Sequence, residues 1–161
     1  AFWQAGLISV ALISLMLIVI LKKWLDAVLV FAPLVLAALL TVSASVVLNF
    51  PFNFANIIVL PLLFGLGVAS GIHLVLRERE VNSVTGVLDT STPRAVVFSA
   101  LTTIGSFGSI ALSSHPGTSS MGMLLTIAIT LTLGCTLVVL PALMIVVGKR
   151  SENPRTKAGK T

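Results

Sequence analysis

Long apolar runs separated by short polar connections set the pattern of this chain. Five runs stand out, at residues 2–21, 27–48, 57–76, 95–112 and 121–147. Each is near the ~20 residues that a helix needs to cross a ~30 Å hydrocarbon layer. A segment inside lipid must satisfy its own backbone polar groups, so runs of this length predict α-helices rather than barrel strands. The expected fold is an all-α, polytopic membrane helical bundle of about five transmembrane helices over residues 1–147. Residues 148–161, "GKRSENPRTKAGKT", are polar and basic, and are expected to form a disordered cytoplasmic tail.

Local signals refine these boundaries. In "DTSTPRA", Ser91 or Thr92 can cap a helix whose first turn contains Pro93, so the fourth helix should begin before its apolar run. Pro141 in "LVVLPALM" should kink the last helix. Trp3, Trp24, Phe50, Phe52 and Phe54 fall near span ends, as aromatic anchors do, and Pro51 shares a connection with the three phenylalanines. No internal repeat is visible.

Composition agrees with the pattern. Of 161 residues, 57% are hydrophobic and only 9% charged, too little polar surface for a soluble domain of this size. All ten Lys and Arg residues lie between the first and second runs, between the third and fourth, or in the tail, and all five acids share those segments. The other two connections, "NFPFNFAN" and "SSHPGTSS", hold none. Alternate connections lie on alternate sides, so the charged ones share a side, and the excess of positive charge makes it cytoplasmic. The net charge of +5 then serves topology and lipid headgroups, and nucleic acid is not needed as a partner. An odd number of helices with the tail inside puts the first residue outside. With Ala1 in place of Met and no basic leader, the chain reads as the C-terminal piece of something longer.

Candidate chemistry is sparse. Gly67 and Gly71, four apart in the third run, suit close helix packing, and Ser70 and His73 lie on a neighbouring stripe beside Ala69. In the fourth run Ser99, Thr102, Thr103, Ser106, Ser109 and Ser113 fall within an arc of about 120° on a helix. Such a stripe either bonds neighbouring helices and its own backbone or borders a hydrated cavity, and the number of hydroxyls favours the cavity. Gly105 and Gly108 supply close-approach positions on the same run. Together these features predict a seam between the third and fourth helices, faced by Ser70, His73, Thr102, Thr103 and Ser106. No Asp, Glu, Lys or Arg lies within a run, and the uncharged connections offer only His115. Without an acid–base pair, a Cys/His metal cluster or a phosphate loop, no enzyme, metal or cofactor is expected. The single Cys135 lies mid-helix and reads as a small hydrophobe.

Two stretches carry a family resemblance. "LPLLFGLGVASGIHLVLRERE" and "STPRAVVFSALTTIGSFGSIALSSHPGTSSMGMLLTIAITLTLGCTLVVLPALM" resemble the C-terminal half of MMPL-type transporters of the resistance–nodulation–division (RND) superfamily. The likeness is nearest to the hopanoid-associated branch, through the "SALTT…FGS…LSSHPGTSSMG" run. It is close over residues 57–144 and by pattern only over the first two runs. It implies that the five helices correspond to the eighth to twelfth of a twelve-helix transporter in the bacterial inner membrane. A large periplasmic domain precedes that point in the family, which implies the external start that the charges also give.

The resemblance further implies lipid export driven by protons, passed through intramembrane carboxylates. Many such transporters carry "GVDY" where this chain has "GVAS", so Ala69 stands at the carboxylate position and Ser70 at the tyrosine position. Either the other half of the molecule holds the carboxylate, or His73 takes part, or transport is not proton-driven. Thr102 and Thr103 match the family's threonine pair near the relay. The implied partners are membrane lipids, an apolar lipid substrate and an N-terminal half, with a homo-oligomer left open. A sterol-sensing-type lipid-binding module and an inactive truncated remnant are the competing readings.

Overall fold

The computed structural model describes residues 2–49, 58–81 and 84–152. Six helices follow in order: α1 (Phe2–Leu21), α2 (Trp24–Val47), α3 (Val59–Val81), α4 (Val84–Leu88), α5 (Ser91–Ala111) and α6 (Pro116–Glu152). Five correspond to the apolar runs, and among the described residues there is no strand. By length and apolar character α2, α3, α5 and residues 116–147 of α6 can each cross a membrane, while 8–21 of α1 form a shorter apolar helix. The all-α membrane bundle expected from the pattern is therefore the observed architecture. The connection holding Pro51, Phe52 and Phe54, the neighbouring Phe50, the Trp3 side chain and residues 153–161 lie outside the described residues.

The helices outrun the apolar segments because polar residues at their ends find local partners. α3 continues through its charged turn, where Arg77 pairs with Glu80 at 2.5 Å, an i,i+3 contact on the helix surface. α5 starts at Ser91, and its cap is Thr90 rather than Ser91 or Thr92. The Thr90 hydroxyl oxygen accepts from the Thr92 N–H at 3.4 Å while its own proton goes to the Val87 carbonyl at 2.6 Å. Thr90 wins because it alone of the three has extended backbone (φ −82°, ψ 172°). α6 opens on Pro116, whose missing N–H costs nothing at a first helical position. It then runs without a break through Pro141 to Glu152.

α6 is the central helix, touching α2, α3, α4 and α5, while α1 lies at the edge against α2 and α3. Two apolar clusters hold the bundle together. One joins Leu17 and Leu21 of α1, Val30 and Leu34 of α2, Ile72 and Val75 of α3, and Leu140 and Met144 of α6. The other joins Val59 and Leu63 of α3 to Leu124, Leu125 and Ala128 of α6. At the charged ends, Arg79 of α3 donates to the Leu21 carbonyl at 2.6 Å and to the Asp26 carboxylate. The first charged connection and the end of α3 thus meet at one end of the bundle, as the charge pattern requires. Lys22, which makes the turn between α1 and α2, has a left-handed backbone (φ 54°).

Candidate functional site

Between the two apolar clusters, three helices contribute stripes with the same spacing. Leu63, Leu66, Gly67 and Ser70 of α3 meet Val96, Ser99, Ala100 and Thr103 of α5, and Ile129, Thr132, Leu133 and Thr136 of α6. Each set follows i, i+3, i+4, i+7, the repeat that keeps one helix face turned to a common axis. They line a partly open cavity of about 40 Å³. Five of its twelve lining residues carry hydroxyls, in a chain where the two flanking clusters are wholly apolar.

Most of these hydroxyls have their protons committed to the helix they sit on. Ser70 donates to the Leu66 carbonyl at 3.3 Å, Thr103 to the Ser99 carbonyl at 2.8 Å, and Thr132 to the Ala128 carbonyl at 2.7 Å. Their oxygens keep lone pairs for a further partner. Thr136 differs: it is 1% exposed and its hydroxyl has no hydrogen-bond partner.

The expected seam is only partly assembled. Ser70 and Thr103 line the cavity. Thr102 and Ser106 are exposed on the outer side of α5, and bond the Phe98 and Thr102 carbonyls at 2.9 and 3.0 Å. His73 and Ala69, four apart on α3, are also exposed, on a face that no described helix covers. The stripe on α5 looks outward because α5 packs mainly along α6 and turns little of its surface to α3.

The glycines need a matching correction. Gly67 and Gly71 do bring α3 close to a neighbour, but the neighbour is not the fourth run. A Cβ on Gly67 would stand 2.8 Å from Thr132 Cγ2 and closer still to Leu34, and one on Gly71 would stand 2.7 Å from Val30 Cγ1. α3 therefore nestles against α2 and α6, where Leu34, Val30 and the Thr132 methyl fill the space that glycine leaves. Gly108 lies near Thr126 of α6, whereas a Cβ on Gly105 would meet nothing within 4 Å.

Sequence reasoning missed four residues that matter here. Gly122 makes the tightest approach to backbone: its Cβ would lie 2.5 Å from the Ala111 nitrogen and 2.8 Å from the Phe107 carbonyl oxygen, so the α5–α6 hairpin closes only on a glycine. Ser119, whose hydroxyl donates to the Ala111 carbonyl at 2.6 Å, ties the same corner. The spacing Ser119, Gly122, Thr126 was the available signal for that small-residue face. Thr132 and Thr136, four apart in an apolar helix, were the signal for the polar wall of the cavity.

A multi-pass bundle of apolar helices with a small hydroxyl-lined cavity is the membrane-embedded part of an integral membrane protein, and comparison with known proteins says what it resembles. No protein-family model matches the chain. It is 46% identical over 144 residues to the hopanoid transporter HpnN of Rhodopseudomonas palustris, and 44% identical over 160 residues to that of Burkholderia multivorans. These alignments cover 89% and 99% of this chain but 16% and 17% of the relatives. A putative membrane protein of Methanocaldococcus jannaschii is 28% identical over 154 residues. The chain is homologous to a segment of the hopanoid transporters, and the resemblance to RND/MMPL-type transporters read from its motifs stands.

Proposed function

We propose that this chain forms part of the membrane domain of an RND/MMPL-type exporter in the bacterial inner membrane. Its cargo is hopanoid or another apolar lipid, moved toward the periplasm and outer membrane, and the whole protein draws on the proton gradient. One observation carries the reading: 46% identity to a hopanoid transporter across 89% of the chain. Because that relative is much longer, the rest of the transporter is the chain's principal partner, alongside membrane lipids. The uncovered faces bearing Ala69 and His73 on α3, and Thr102 and Ser106 on α5, are where we dock it. Ser70 and Thr103 on the cavity and His73, Thr102 and Ser106 on those faces then form one coupling seam in the whole protein. The work is transport rather than bond-breaking chemistry, a reading supported by the likeness to hopanoid transporters.

The test is deletion of the gene for the full-length protein in its native host, with hopanoids measured separately in inner and outer membranes. Hopanoids should accumulate in the inner membrane and fall in the outer one, and a plasmid copy should restore the balance. An unchanged distribution would remove this function.

A further inference from the structure

We infer that the cavity among α3, α5 and α6 is a binding site for one internal water, with Thr136 as its donor. Three observations lead there. The cavity measures about 40 Å³, above the ~10–15 Å³ that a single water requires and far below what a lipid tail or substrate would fill. Thr136 is 1% exposed, lines this cavity, and has a hydroxyl without a partner. A buried hydroxyl in that condition costs roughly 1–3 kcal/mol, so an occupant that pairs it is favoured over an apolar one.

The third observation is the donor balance of the remaining wall. Of the other four hydroxyls, those of Ser70, Thr103 and Thr132 have each given their proton to a carbonyl of their own helix, so toward the cavity they can only accept, while Ser99 stands at its exposed rim. Thr136 retains a proton to give. Water suits this set because it can donate two hydrogen bonds and still accept from Thr136. It takes the Thr136 proton and returns its own to two of the three accepting oxygens, about the three bonds usual for a buried water. It thereby links α6 to α3 or α5 at a level where no direct side-chain hydrogen bond among the described residues does so. Lipid supplies no substitute at that depth. The site is independent of the transport reading, and holds whatever the cargo is.

Two measurements on the full-length protein test it. A structure at a resolution that shows waters should contain one within about 3 Å of the Thr136 hydroxyl. In detergent, Thr136→Val, which keeps the shape and removes the donor, should lower the midpoint of thermal unfolding by a few degrees, while Thr136→Ser should leave it nearly in place. A dry cavity predicts the opposite, a rise for Thr136→Val as an unpaired hydroxyl disappears. A rise, no change, equal losses for Val and Ser, or density for an apolar molecule would each overturn the inference. Should the Val variant fail to fold, the density and the Ser variant still decide.

Discussion

α5 and α6 lie side by side and both are sown with serine and threonine, yet their hydroxyls end in different surroundings. On α5 most look outward: Thr102, Ser106 and Ser109 are exposed and bond carbonyls of their own helix at 2.7–3.0 Å, while Ser99 and Thr103 reach the cavity. On α6 two look inward: Thr132 and Thr136 are buried, and one of them lacks a partner. A hydroxyl that returns its proton to the preceding turn is tolerated next to lipid, so an outward polar stripe needs no cavity to explain it. A hydroxyl buried without that option carries more information. Position relative to the central helix, and not residue type, decides which case applies.

That contrast can be broken first at Gly122 of α6. Gly122→Val would drive two methyl groups into the Ala111 and Phe107 backbone, where no side chain can swing aside. A loss of about 3 kcal/mol or more is expected, read as the disappearance of monodisperse protein in size-exclusion chromatography after heating. Gly67→Ala, facing Thr132 of α6, meets only side-chain ends and should cost about 1–2 kcal/mol in thermal unfolding. The combined Thr102→Val and Ser106→Ala change on the outer side of α5 should alter stability by no more than about 0.5 kcal/mol. Transport should fall all the same if those hydroxyls belong to the coupling seam. Full transport with normal expression would leave them as lipid-facing or packing residues only.

Much of the architecture was legible in the sequence because lipid leaves a chain few choices. Residues 59–76 and 95–111 could be nothing but helix, and the charged connections already pointed to a common end. The Arg79 contacts with Leu21 and Asp26 bear out that common end. What could not be read was which face meets which neighbour. Gly67 and Gly71 advertise close approach without naming a partner, and the side chains that fill their space, Leu34 and Val30, look like any others in α2. The α5 stripe suggested a wet seam because six hydroxyls in one arc seemed to need company, whereas the helix's own carbonyls satisfy those on its outer side. The spacing of Thr132 and Thr136 marks a polar wall, but what sets Thr136 apart is a bond it does not make, and no spacing records that.

The Arg79 bridge has a bearing on biogenesis. Its guanidinium reaches 58 positions back along the chain to the carbonyl of Leu21, which ends α1, and 53 back to Asp26 at the start of α2. During synthesis those two groups emerge long before their cation does. The acid of the first helical pair therefore stays without this partner until the third segment delivers the arginine to the same end of the bundle. The bridge works as a latch that can close only after correct insertion, and a segment threaded backwards would leave it open.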